Sequence, residues 1–561
     1  MVHRIEVEEQ RLLEATSSSH DEKAPDRVQG HGLEEKVTWR DLPQKKQLLL
    51  LALCRLSTPL SNACLLPYIY FLVKSVLSDP GHPSASKQIS RLTGLLVAAY
   101  PLGQMSTSMM WGRLSDTYGR KPIILLGLLI SVTANLAFGF SRTIGILLFW
   151  RVLAGMANGI LGVMRTMTAE IVKERKYHSR AFLALTLVFN SGRVAALAIG
   201  GCLADPVDNL PWLFGPTGIL NFHKNPDGVA WVLKYPYALP ALFNGTVLVI
   251  CFMLAALWLK ESFPAKEKSW DPGLAIGKAI AKLITRKAAA KVSGYTPLQI
   301  EEANSLVADV PMSESVSDPP IPLRGEAKLS RPRLRDIWTR RLLKTLLAFG
   351  LLPLHNATFL YIFPVFLSMP TSANIGFTAF CFTGGLGLAS PTVGFYLASF
   401  GICGIFLQMF IYPRIQKHIG NLGAFRLASA IFPIAYVFAP YLSLVSGHET
   451  IKWVAMAFVL FFQVMARTMA MPSSVILLTE AAPRRSVLGT VHGAGSTLSA
   501  LSSAAGPVIG GVLLARGIEI GAMGLVWWSW LSLVSLAALV WSFVLEKDEQ
   551  EKGVSVGAQL E

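Results

Sequence analysis

Long apolar stretches recur along this chain, parted by short polar or basic turns. A run of roughly 18 or more apolar residues is long enough to cross the hydrocarbon core of a bilayer as a helix. No water is available there, so a crossing segment must satisfy its own backbone hydrogen bonds. About twelve runs meet the hydropathy criterion. They cover 47–73, 94–112, 122–140, 143–168, 181–203, 236–259, 343–368, 391–412, 423–445, 452–477, 488–514 and 522–544. Only 15% of the residues are charged, against about 25% in a soluble globular protein. The fold class that follows is an all-α polytopic membrane protein with twelve transmembrane helices.

An even number of spans puts both tails on one side. The net charge is +16, and its placement settles what it means. Of the 51 Lys and Arg residues, 39 fall on the side of the tails, eight on the other side and four within spans. That asymmetry marks the tail side as cytoplasmic and accounts for the basic excess without a nucleic-acid partner. Residues 1–45 and 546–561 read as polar cytoplasmic tails. Two six-helix halves, 46–260 and 343–545, flank a central cytoplasmic loop at 261–342. An external loop at about 204–235 carries Trp212 and Phe214 and reads as a compact cap. Within the central loop, about 274–291, Lys278, Lys282 and Arg286 recur on one helical face. Ile276, Ile280, Leu283 and Ile284 lie largely on another, the pattern of a helix resting on the inner leaflet. Residues 308–334, rich in Pro, Ser and charge, read as a linker.

Residues 112–121 form one of the short turns: Gly-Arg-Leu-Ser-Asp-Thr-Tyr-Gly-Arg-Lys. Gly119 permits a sharp reversal that other residues resist. Asp116 is placed to receive backbone N–H groups at the next helix start, where the dipole favours an anion. Arg120 and Lys121 supply positive charge at the membrane face.

The two halves repeat each other. Gly200-Gly201 in the fifth run and Gly510-Gly511 in the eleventh lie 310 residues apart. Glu170 and Glu480 share that offset. The element Gly506-Pro507-Val-Ile-Gly510-Gly511 is complete in the second half, whereas Ala196-Leu197 replace its Gly-Pro in the first. Pro413 through Gly420 echoes Gly112 through Gly119, with Lys417 in the place of Asp116. Small residues recurring at fixed places let helices approach closely. Two related bundles imply a path between them that opens alternately to each side.

These features resemble the major facilitator superfamily. The 112–121 turn resembles its G-x-L-x-D-x-x-G-R-[KR] loop through Gly112, Leu114, Asp116, Gly119, Arg120 and Lys121. In that family the loop is a conformational latch. Arg151-Val-Leu-Ala-Gly155-Met-Ala-Asn-Gly159 resembles R-x-x-x-G-x-x-x-G, whose arginine is linked to proton coupling. The G-P-x-x-G-G element resembles the antiporter motif. Ala52 through Leu56, Leu66-Pro-Tyr68, Leu203 through Pro206, Leu210 through Gly215 and Tyr235 through Pro240 look like the fungal multidrug branch, related to tetracycline-efflux and zinc-induced-facilitator-like carriers. The resemblance implies two pseudo-symmetric six-helix bundles.

Ionisable groups inside a span are costly and mark function by default. Arg55, Arg151, Arg193 and Arg467 lie away from the span ends, as does His355, beside Asn356. The carboxylates Asp116, Glu170, Asp205 and Glu480 all lie at span ends. The interior is therefore net positive, which favours an anionic or acceptor-rich substrate. Arg55, Arg193, His355, Asn356 and Arg467 are substrate-pathway candidates. Arg151, Glu170 and His355 are candidates for proton coupling, His355 because it titrates near neutral pH. Glu170 has Arg55 as its expected partner. Trp527, Trp528 and Trp530 read as interface anchors.

The expected activity is secondary active transport. A small organic compound, a drug or secondary metabolite, would leave against proton entry. The alternatives are proton-driven import of a nutrient anion and a non-transporting receptor. No Walker-type phosphate loop, metal-ligand pattern or catalytic constellation is present in the sequence, so no enzyme, cofactor or metal is expected. The expected setting is a monomer spanning the plasma membrane, or alternatively the vacuolar membrane, with protons, substrate and lipid as its partners.

Overall fold

The computed structural model describes residues 42–77, 85–172, 175–263, 266, 270–292, 338–371, 380–483 and 488–545. The expected tails at 1–41 and 546–561 and the linker at 308–334 lie outside the described residues. Helix covers each of the twelve apolar runs. The first run is broken into α1 (Lys45–Cys54), α2 (Ser57–Asn62) and α3 (Ile69–Val76). Then follow α4 (Ala85–Tyr118), α5 (Arg120–Gly139), α6 (Ile144–Ala157) and its continuation α7 (Leu161–Ile171), and α8 (Arg175–Leu203). Three short helices, α9 (Pro206–Asn209), α10 (Pro211–Phe214) and α11 (Ala230–Lys234), lead to α12 (Ala238–Trp258) and then α13 (Pro272–Val292). The second half comprises α14 (Arg340–Ser368), α15 (Ser390–Phe406), α16 (Tyr412–Phe438), α17 (Glu449–Glu480), α18 (Leu488–Glu519) and α19 (Leu533–Val544).

Among the described residues, nine helical segments are long and apolar enough to cross a membrane. The difference from twelve has local causes. The first run is interrupted between its three short helices. Gln104, Ser106, Thr107 and Ser108 dilute the apolar character of α4. Residues 390–445 count once, although Gly420 turns the backbone sharply at φ 71°.

Side chains such as Met109, Phe149, Ile402 and Val540 project outward, as a lipid-facing surface requires. The loop at 204–235 is folded upon itself. The Ile219 and Leu220 N–H groups donate to the Trp212 and Leu213 carbonyls, and Val229 donates to Phe214. Phe214, Val229 and Val232 form a small core beneath it. Trp527 departs from its expected place at the interface. It is 0% exposed and meets Phe359, Phe363 and Phe366 edge-on. It lies in a π-helical turn, Val526–Ser532, within the second half's aromatic core.

The halves touch through a reciprocal pair of glycine contacts. A Cβ on Gly201 would strike the Ser390 carbonyl and the Gly394 backbone, and one on Gly511 would strike the Ser90 carbonyl and the Gly94 backbone. Each contact thus joins one half's paired glycine to a Ser-x-x-x-Gly turn of the other. Ser90 and Gly94 lie 300 residues before Ser390 and Gly394. Among the described residues, five bonds reinforce the junction. The Ser390 hydroxyl donates to the Gly201 carbonyl at 3.2 Å, and Asn209 Nδ2 donates to Ser390 at 3.3 Å. Lys87 pairs with Glu519 at 2.8 Å, Asn62 with Tyr361 at 2.8 Å and Asn190 with Gln408 at 3.2 Å. All five lie at the face opposite the 112–121 turn or at mid-depth.

Candidate functional site

The 112–121 turn packs a buried cation between acids. Gly119 adopts φ 101°, and α5 begins at the next residue. Arg120 Nη1 donates to Asp116 Oδ1 at 2.5 Å and to Ser115 Oγ at 2.7 Å. Its Nη2 and Nε donate to Glu170 Oε1 at 3.0 and 3.2 Å, and its guanidinium stacks on Phe263. Arg120 is only 8% exposed, whereas Asp116 is 67% exposed. Lys121 is likewise buried, with Nζ donating to Asp271 Oδ2 at 2.6 Å and to the Ala256 carbonyl at 2.8 Å.

Two expected pairings are corrected here. The acid at the start of α5 is Glu261, not Asp116. Glu261 accepts the Arg120 and Lys121 backbone N–H groups at 2.9 and 3.0 Å, and also those of Ser262 and Phe263. A Cβ at Gly119 would collide with that carboxylate, so the glycine serves both turn and cap. Asp116 instead grips the Arg120 side chain, one helical turn away. Glu170 is bound by Arg120 and by the Ser262 hydroxyl at 2.6 Å, not by Arg55. Arg55 donates to Thr58 Oγ1 at 2.7 Å and stacks on Phe189. Gly112 faces open space. Helix α13, expected at the leaflet, is tied to this site at its start. Asp271 accepts from Lys121 and from the Leu274 N–H, and Gly273 and Gly277 lie against the Ala256 and Leu257 carbonyls.

The arginine in the R-x-x-x-G-x-x-x-G run is held by acceptors other than acids. Arg151 donates to the Ser61 carbonyl at 2.6 Å, to Asn62 Oδ1 at 2.8 Å and to the Leu96 carbonyl at 3.3 Å, and it lies over Tyr100. Its two glycines explain the spacing. Gly155 sits against the Tyr100 carbonyl and Gly159 against the Trp111 ring, so α6 nests on α4. Asn62 also donates to Tyr361 across the halves, which links Arg151 to α14.

His355 is buried, with Nδ1 bonded to the Tyr436 hydroxyl at 2.8 Å and Phe432 edge-on to its ring. Asn356 accepts from Gln463 at 3.0 Å. Arg193 and Arg467 are half-buried, and among the described residues neither has a hydrogen bond or ion pair. The paired glycines divide their work alike in both halves. Gly200 meets the Cys64 carbonyl, while Gly506 and Gly510 meet Leu354 and Thr358 of their own half. Gly201 and Gly511 reach across. Even the altered Gly-Pro keeps its contact, because the Leu197 carbonyl faces Gly394 as the Pro507 carbonyl faces Gly94.

Sequence reasoning missed Glu261, Asp271, Asn62, Tyr361 and the two Ser-x-x-x-Gly turns. The turns had a signal, the 300-residue repeat of Ser90 and Gly94. Glu261 and Asp271 had none beyond lying just after a span.

The Major Facilitator Superfamily model matches residues 51–387. The multidrug transporter mfsB of Aspergillus fumigatus is 31% identical over 92% of this chain and 85% of its own length. The Arabidopsis thaliana protein Zinc Induced Facilitator 1 is 25% identical over 82% of each chain. The human organic anion transporter MFSD10 has a similar fold, with a TM-score of 0.52 at 16% identity, covering 89% of this chain and 99% of its own. The buried charge network at 112–121, the swapped glycine junction and these likenesses lead to one assignment: the chain belongs to the Major Facilitator Superfamily of membrane transporters.

Proposed function

We propose that this transporter exports a small organic compound, anionic or rich in acceptor oxygens, by rocking its two six-helix halves against proton entry. The observation that carries the reading is the placement of the cross-half bonds. They gather at mid-depth and at the face away from the latch, so the structure fits a state closed there. With the 39-to-8 excess of basic residues marking the latch side as cytoplasmic, that state faces inward, ready to load from the cytoplasm. Export is supported by likeness to mfsB and by a 29% identical stretch of the efflux pump azaK of Aspergillus niger. Anion preference is supported by Arg55, Arg193 and Arg467, which no mid-span carboxylate neutralises.

Arg151, Glu170 and His355 remain the groups through which proton movement acts in this reading. His355 is the one of them whose ordinary titration range lies near neutrality. The setting is the plasma membrane, with both tails cytoplasmic and one chain as the working unit.

The experiment is accumulation of acidic and neutral compounds in cells with and without the protein, at two external pH values. Lower accumulation that vanishes when the proton gradient is collapsed is the expected result. Higher accumulation would make the protein an importer, and no change across the panel would contradict transport of such compounds.

A further inference from the structure

Arg193 and Arg467 stand in opposite halves, each near the middle of a long helix. Three contacts fix their relative position. Asn190, one turn before Arg193, donates to Gln408. A Cβ at Gly401 would meet Val194, the residue after Arg193. A Cβ at Gly404 would meet Val464 and Thr468, which flank Arg467. Gly401 and Gly404 are neighbouring turns of α15, so α8 and α17 flank that helix with their arginines at about one depth. The two guanidinium groups lie within electrostatic reach of each other and of the Tyr361 hydroxyl.

Neither group has a hydrogen-bond or ion-pair partner among the described residues. No Asp or Glu occurs anywhere in 185–201 or 450–479. Unpaired charges inside a membrane protein are costly, and two like charges facing each other raise the cost. Arg55 and Arg151, by contrast, have acceptors: Thr58 for the first, and Ser61, Asn62 and Leu96 for the second. Both side chains are only half-buried, so an anion carried between the halves can reach them.

Building on the transporter reading, we infer that Arg193 and Arg467 form a two-armed clamp, one arm from each half, for a substrate with a dianionic head. Each planar guanidinium can hold two oxygens of one anionic group. The dianion cancels the repulsion between the arms and so favours the halves closing around it. A dicarboxylate and an organic phosphate both supply this chemistry.

The test is thermal unfolding of the full purified chain in detergent with four aromatic probes: benzene-1,2-dicarboxylate, phenyl phosphate, benzoate and benzamide. At least one dianion is expected to raise the midpoint more than benzoate, and benzamide not at all; which dianion does so identifies the head group. In Arg193→Gln and Arg467→Gln, affinity for that dianion should fall roughly ten- to a hundredfold. Without ligand, both variants should unfold at the wild-type midpoint or above it, because one of two unpaired like charges has been removed. A midpoint below wild type in either variant would mean that the arginine has a structural partner, and would overturn the clamp. So would a dianion preference that survives both substitutions, or dianions that act no better than benzamide.

The transporter reading fails separately. Arginine-dependent dianion binding with no compound moved in cells would leave the clamp standing and remove the transport. Transport of dianionic compounds that ignores both substitutions would do the reverse.

Discussion

The turns at 112–121 and 413–422 are the same device built twice with different chemistry. Both reverse on a glycine with positive φ, 101° at Gly119 and 71° at Gly420. Both set the residue after that glycine against a glutamate 310 residues from its counterpart. In the first half a buried arginine joins Asp116, Ser115 and Glu170. In the second, Asn421 accepts from Gln416 at 2.6 Å and donates to Glu480 at 2.9 Å. Glu480 is exposed, and Lys417 stands where Asp116 would be. The first turn is also clasped by Glu261, Ser262, Phe263 and Asp271 from beyond α12. An amide bond to an exposed carboxylate adds little, whereas a buried cation shared by two acids is costly to break. The difference teaches that the same glycine reversal is kept in both halves, while a buried cation sits at the first and an exposed carboxylate at the second.

Substitutions can break this comparison in graded steps. Arg120→Ala leaves Glu170 and Asp116 facing each other without their cation. It should cost about 3 kcal/mol of stability, read from thermal unfolding in detergent. Glu261→Ala uncovers the N–H groups at the start of α5 and should cost about 1–2 kcal/mol in the same measurement. Asp116→Ala removes an exposed partner, so its stability cost should stay below about 1 kcal/mol while transport falls and membrane insertion stays normal. Normal transport by that well-folded variant would remove the latch role. Asn421→Arg copies the first network into the second turn. With Glu480 exposed, its stability should stay within about 0.5 kcal/mol of wild type. A gain as large as the loss in Arg120→Ala would show that burial is not what separates the turns.

Much of this was legible in the chain. Apolar length located the helices, and the sequence marked Gly119 and Arg120 as parts of the 112–121 turn, whereas it paired Glu170 with Arg55 instead of Arg120. The spacing Arg151, Gly155, Gly159 reported a helix nested on its neighbour. What escaped was tertiary. Glu261 caps a helix 141 residues away, and nothing in its own surroundings says so. Asp116 looked like the capping acid because it is near in sequence, yet the turn aims it at a side chain. Trp527 looks like an interface anchor in sequence, yet it lies in a π-helical turn and is buried in the second half's aromatic core. Ala196-Leu197 replace the Gly-Pro of the motif, yet the contact there runs through the Leu197 backbone carbonyl, which any residue supplies.

The most direct test of the unequal latches is transport by Arg120→Ala and Asn421→Ala in the same cells, at equal surface amounts, against wild type. Transport should collapse in the first and stay near wild type in the second. Equal loss in both, or normal transport by Arg120→Ala, would contradict the assignment of the latch to one half.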